Sequence, residues 1–247
     1  MNQSPGIVGM APFELPDDAW AYWRPGVADI VELALVHGED VGLPDHFHDE
    51  DQVTFVISGY RRFLIGTELV IIGPSQGVCI PAGTPHRSLP EPDGVVCINL
   101  YLRASECDTR ALLDRLAVLW CQEARLQVDT LASLVREYRY PRSINPVPMN
   151  NVAPLPLMSD LVVSVTAAAR EFAMSREGYS RAFRRVHGMP PQTFGIMARL
   201  NGARKLLRAG VSPADAAAAA GFADQSHLGR LFRRTFGVAP GRYRTGP

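Results

Sequence analysis

The chain has 247 residues, 47% of them hydrophobic and 20% charged, and its formal charge is zero, with 25 basic against 25 acidic side chains. That length suits two domains of ordinary size, each able to bury a core. No apolar run of about 18 residues occurs, which argues against a helical membrane span, and Met1 to Pro5 lack the basic and apolar blocks of a signal peptide.

Residues 1–105 read as all-β. Short apolar runs recur at Val31–Val36, Val53–Ser58, Arg62–Ile65, Leu69–Ile72, Val78–Ile80 and Val95–Leu102. Gly, Pro and Asp clusters separate them, the pattern of a sandwich or barrel. Two fragments stand out, Gly42 to Gln52 with Gly59 beyond it, and Pro81 to His86. His46 and His48 are two residues apart, so on a strand they point to one face. His46, His48 and His86 are candidate ligands for a divalent metal, with Gln52 as a weak fourth. They are equally candidates for an organic effector pocket walled by Phe55, Phe63, Ile80, Tyr101 and Trp20 or Trp23. Arg61, Arg62 and Arg87 could receive an acidic ligand there, or lie exposed in loops.

Residues 106–140 turn helical, with one stripe at Leu112, Leu113, Leu116 and Leu119 and another at Leu126, Leu131, Leu134, Val135 and Tyr138. Such stripes serve a dimer interface or pack back on the barrel; amphipathicity alone does not name the partner. Residues 141–156 hold prolines at 141, 146, 148, 154 and 156 and read as an extended linker. The four cysteines, Cys79, Cys97, Cys107 and Cys121, show no Cys-x-x-Cys spacing. Reduced thiols in a cytoplasm are therefore expected.

Residues 157–247 contain one helical unit written twice at an offset of 49 residues, pairing Arg181 with Arg230, Phe183 with Phe232, Arg184 with Arg233, Arg185 with Arg234, Gly188 with Gly237 and Pro191 with Pro240. In the first copy Ser164 caps a helix to about Phe172, and Ser175 caps a second helix that stops at Gly188. In the second copy Ser212 caps a helix with Pro213 at its first position, and Asp224 caps another that ends at Gly237. Tyr179, Ala182, Phe183 and Val186 fall at helical spacing and read as core, as do Leu228, Leu231, Phe232 and Phe236. A further helix from about Pro191 to Ala209 joins the copies. From Asp160 onward there are 14 basic and 5 acidic residues, a net of +9, which leaves 11 basic and 20 acidic, a net of −9, in residues 1–159. A basic excess on a duplicated helix-turn-helix points to a phosphate-backbone partner.

On these residues the C-terminal region resembles the DNA-binding domain of the AraC/XylS family of bacterial transcription regulators. The carrying stretches are Ala169–Ser175, Arg181–Phe183, Gly188–Pro191, Ala203–Leu207, Gly221 with Phe222, Asp224–Leu228, Arg230–Phe232 and Phe236–Pro240 with Tyr243 and Arg244. The two histidine fragments resemble the motifs of a cupin, a small jelly-roll barrel. Metal-binding cupins place a Glu where this chain has Gln52, and an Asn follows the second-motif His where Pro90 stands here. The resemblance thus implies an N-terminal cupin-like sensor barrel over 1–105, a dimerising helical segment over 106–140 and an all-α double helix-turn-helix over 157–247. It also implies promoter DNA, a small-molecule effector and RNA polymerase as partners, a homodimer, and no catalysis.

In that family's geometry the major-groove readers are those early in each recognition helix. These are Arg176, Glu177, Ser180 and Arg181 in the first, and Gln225, Ser226 and Arg230 in the second. Arg184, Arg185, Arg233, Arg234 and Arg244 are expected on phosphates. Two other readings use the same histidines: a metal-responsive regulator, or a cupin metalloenzyme fused to a DNA-binding tail. The amide at Gln52 speaks against the enzyme. Activation or repression, the effector and the operator stay open.

Overall fold

The computed structural model describes residues 18–27, 29–123, 126–140 and 164–246. The expected linker, 141–156, lies outside the described residues. Among the described residues nine strands form two antiparallel sheets. One holds β1 (Trp20–Trp23), β2 (Ile30–Gly38), β9 (Val95–Arg103), β4 (Glu50–Gly59) and β7 (Gly77–Ile80) in that order, and the other holds β3 (Leu43–His46), β8 (His86–Ser88), β5 (Arg61–Ile65) and β6 (Glu68–Ile72).

The larger sheet is buried on both faces, so its central strands read as near-continuous apolar runs. The two-residue period divides them. Ala34, Val36, Val56, Cys97 and Tyr101 point into the barrel, while Leu33, Leu35, Val53, Phe55, Ile57, Ile98, Leu100 and Leu102 point out. The outer set is covered by α1 (Thr109–Glu123) and α2 (Val128–Glu137) through Leu112, Leu116, Leu131, Leu134 and Val135. The apolar stripes of these helices are thus packed on their own barrel. Phe55 belongs to this outer cluster. Its expected place in the effector pocket is corrected, because it pairs with Ile98 and points to the outer face, away from the face of Gln52, Thr54 and Val56.

The C-terminal half is all helix. The first pair is α3 (Val165–Glu171) and α4 (Arg176–His187), the connector is α5 (Pro191–Arg208), and the second pair is α6 (Pro213–Ala219) and α7 (Gln225–Phe236). Ser164, Ser175, Ser212 and Asp224 each cap by accepting a backbone N–H three residues on. Gly188 and Gly237 end α4 and α7 in the left-handed conformation at φ 73° and 77°. A last helix, α8 (Pro240–Thr245), was not expected. The repeat carries its signal, since Pro240 occupies the position of Pro191, the first residue of α5. One expected core residue is also corrected: Val186 is 42% exposed, on the side of α4 turned toward the barrel loop at Gly83–Pro85.

One buried cluster runs without a break from the barrel interior into the helical half. Trp20, Tyr22, Phe47 and Tyr101 join Met197, Leu200, Ala203, Leu207, Phe236 and Tyr243 in it. The two halves are docked.

Candidate nucleic-acid interface and the histidine end of the barrel

The recognition helices α4 and α7 show the same division of faces. Tyr179 and Phe183 are buried on α4, as are Leu228, Phe232 and Phe236 on α7. Arg176, Glu177, Arg181, Arg184 and Arg185 are exposed, Ser180 is half-buried, and Gln225, Ser226, Arg230, Arg233 and Arg234 are exposed. Arg244 differs: its side chain is half-buried with Nε lacking a hydrogen-bond partner among the described residues, and its carbonyl accepts from Arg24 Nη1 (2.7 Å). At 18 residues α5 is about 27 Å long. That length is of the order of one turn of duplex, about 34 Å.

At one end of the barrel the strand registers gather a polar site. His46 on β3 pairs with His86 on β8, and His48 follows just beyond β3. Opposite them Glu32, Tyr101 and Gln52 lie in one row across β2, β9 and β4. The ring centroids of His46, His48 and His86 are 4.2 to 5.2 Å apart, and one ligand nitrogen from each lies within 4.8 Å of the others. All three are buried, at 2%, 3% and 2% exposure. Burial pushes their pKa values down, His86 to about 4, so the rings are neutral at pH 7. The Nε2 atoms of His48 and His86 have no hydrogen-bond partner among the described residues. Gln52, also buried, donates from Nε2 to Thr54 Oγ1 (3.1 Å). Tyr101 stands against His48 at 5.1 Å between centroids.

This end is closed by α5. Arg204, 1% exposed, donates from Nη1 to His48 Nδ1 (2.9 Å) and from Nε to Tyr243 Oη (3.1 Å), and its Nη2 is ion-paired with Glu32. Its guanidinium lies 4.4 Å from the Tyr101 ring centroid. Burial would lower the Arg204 pKa, but Glu32 and its neighbours hold it well above the usual value, so the charge is fixed. Around this centre Asn201 Nδ2 donates to Phe47 O (3.0 Å), Arg208 pairs with Glu50 (2.6 Å) and Lys205 with Asp49 (2.8 Å). Tyr22 Oη donates to Phe236 O (2.9 Å), and Gly237 abuts Trp20.

Three arginines considered as anion receptors are already committed. Arg61 is buried rather than in an exposed loop, and it donates to Leu89 O and Val41 O beside Glu91. Arg62 pairs with Glu91, and Arg87 with Asp45. Glu32 and Arg204 were not singled out from the sequence. Glu32 is a lone charge inside the apolar stretch Ile30–Val36, where a buried charge demands a partner, whereas Arg204 stands beside Lys205 and nothing local marks it as the buried one.

Residues 168–246 match the family model described as a helix-turn-helix domain. The chain is 41% identical over 87 residues to the transcriptional activator NphR of Rhodococcus sp, a match covering 35% of this chain and 25% of that one. It is 26% identical over 223 residues to an uncharacterized HTH-type transcriptional regulator, YbfI, of Bacillus subtilis, covering 75% of this chain and 81% of that one. In shape it is similar to ToxT from Vibrio cholerae solved with an unsaturated fatty acid bound, with a TM-score of 0.52 at 13% identity over 93% of this chain and 97% of that one. At that identity the likeness is one of fold. Among the described residues no helix is long and apolar enough to cross a membrane.

Proposed function

We propose that this chain, an AraC-type helix-turn-helix regulator with an N-terminal cupin-like barrel, binds promoter DNA sequence-specifically and is controlled by the occupancy of the barrel's histidine end. The observation that carries the reading is the position of α5. It connects the two recognition helices, and Arg204 at its C-terminal part is bonded to Glu32 and His48 of the barrel. Whatever moves His48 or Glu32 therefore acts on the element that sets the spacing of the two readers.

Arg181 and Arg230 each take a guanine through O6 and N7, Gln225 takes an adenine, and Glu177 accepts from a cytosine amine. Arg184, Arg185, Arg233 and Arg234 contact phosphates and set register. Docking restrains this half. Arg184 and Arg185 border the groove against the barrel loop at Ala82–Pro85, and Lys205 and Arg208 are occupied by Asp49 and Glu50. A ligand that loosens the docking raises DNA affinity, because it binds the released state better than the docked one.

The enzyme reading loses on the same geometry. Arg204 bonds His48 and Phe236 packs beside its ring, so the DNA-binding half occupies this face of His48. The test is selection of duplexes from a randomised pool by the full chain. Two sequence blocks about 10 base pairs apart are expected. Recovery of no sequence preference would overturn the reading.

A further inference from the structure

The three histidines are not the same tautomer, and the difference comes from the DNA-binding half. His46 Nδ1 lies 2.8 Å from Pro44 O, and His86 Nδ1 lies 2.9 Å from Thr84 O. A carbonyl oxygen only accepts, so both rings carry their proton on Nδ1 and keep a bare lone pair on Nε2. These are the tautomers that ligate a metal through Nε2, each oriented by a backbone carbonyl on its other nitrogen. His48 is the reverse. Its Nδ1 faces Arg204 Nη1 at 2.9 Å, and a guanidinium only donates. His48 therefore accepts at Nδ1 and carries its proton on Nε2. Two rings are set for a cation, and the third is turned over by an arginine from α5.

The cupin resemblance implies a first-row divalent cation on His46, His48 and His86, and we propose that this cation and Arg204 compete for His48. Three neutral imidazoles suit zinc, nickel, iron(II) or copper(II), leaving positions for water or another ligand. The residues fit such an ion: the rings are neutral and clustered, and the buried Nε2 atoms of His48 and His86 lack partners among the described residues. Either nitrogen of His48 leads to the same conflict. If Nδ1 ligates, Arg204 is displaced from it directly. If Nε2 ligates, the neutral ring must carry its proton on Nδ1, where it faces the guanidinium N–H, donor against donor. A dication and the fixed charge of Arg204 also repel across the ring. Cation binding thus loosens α5 from the barrel, and docking weakens cation binding by the same factor.

The inference rests on the proposed control of DNA binding only for its consequence, that the cation raises DNA affinity. The test uses the chelator-stripped full chain, with zinc titrated by calorimetry and cobalt(II) by its visible absorption. Wild type is expected to bind one zinc per chain. Arg204→Met, and the charge-balanced double variant Glu32→Gln with Arg204→Met, are expected to bind it about tenfold more tightly. His48→Gln and His86→Gln are expected to lose most of the affinity. Zinc should also speed amide exchange along α5 in the wild type. Equal zinc affinity in the wild type and the double variant would overturn the competition. Zinc binding in no variant, or undiminished binding in both histidine variants, would overturn the site. Zinc affinity that rises as expected while DNA affinity ignores zinc would overturn the control reading and leave the cation site standing.

Discussion

Arg204 and His48 lie 156 positions apart and meet at 2.9 Å, the first on the helix that joins the two helix-turn-helix units, the second at the histidine end of the barrel. This contact gives the opposite charges of the two halves a second meaning. The net of +9 after residue 159 suits DNA, and the net of −9 before it suits the same helices when docked. Arg208 with Glu50, Lys205 with Asp49 and Arg242 with Asp18 draw on that complementarity. The docking pairs thus use Lys205, Arg208 and Arg242, while the arginines of α4 and α7 stay exposed.

Replacing Arg181 or Arg230 with Ala should weaken the selected duplex by about 1–3 kcal/mol and relax preference at one base position each. Replacing Arg185 or Arg234 should weaken all duplexes alike and reduce the salt slope by about one. Fluorescence anisotropy across a salt series separates the two classes. A uniform loss in all four variants would leave Arg181 and Arg230 as phosphate contacts only.

The ion pair between Arg204 and Glu32 is 1% and 0% exposed, so breaking it from one side is costly. Arg204→Ala should lower unfolding stability by about 3–5 kcal/mol, because a buried carboxylate is left unpaired. The double variant Glu32→Gln with Arg204→Met should recover most of that loss. Urea unfolding measures both. A loss under about 1 kcal/mol for Arg204→Ala would mean that water reaches Glu32.

Gly237 combines two demands. Its φ is +77°, and a Cβ there would come within 2.4 Å of Trp20 Cδ1 on β1. Gly237→Ala should therefore lower the melting temperature and disturb the docked interface together, with the left-handed backbone alone costing about 1–2 kcal/mol. A melting temperature within a degree of wild type would count against the packing of Trp20 on the end of α7.

Cysteine chemistry should be confined to one residue. Cys97 is fully buried and burial pushes its thiol to about 11, with Cys79 at about 11 and Cys107 at about 12. Cys121 is exposed on α1. At pH 8 a thiol reagent should modify Cys121 within minutes and the others only on unfolding. Rapid modification of Cys97 in the folded chain would contradict the closed barrel.

The helical half was legible because its signals are local. Ser164, Ser175, Ser212 and Asp224 announce the helix starts, and Gly188 and Gly237 the ends, within a turn of where each acts. The barrel was legible in its longer strands. β1, β3 and β8, with four, four and three residues, carry too little pattern to show by alternation. Phe55 was misplaced because both faces of β4 are buried and the polar phase, Gln52 and Thr54, is the one that faces inward, the reverse of the usual apolar-in pattern. Arg204 and Glu32 went unnoticed for another reason. Glu32 looks anomalous alone and Arg204 does not, and the partner of each is 172 positions away, where no local rule reaches.

The most direct test of control through docking alters the barrel and leaves the DNA-binding half untouched. Asp49→Asn with Glu50→Gln removes the partners of Lys205 and Arg208. The measurement is equilibrium anisotropy of a selected duplex at fixed salt, wild type against this variant. If docking restrains the recognition helices, the variant should bind at least about fivefold more tightly, the low end of ordinary coupling between sites. Affinity equal to or weaker than that of the wild type would contradict the claim that the barrel holds back the DNA-binding half.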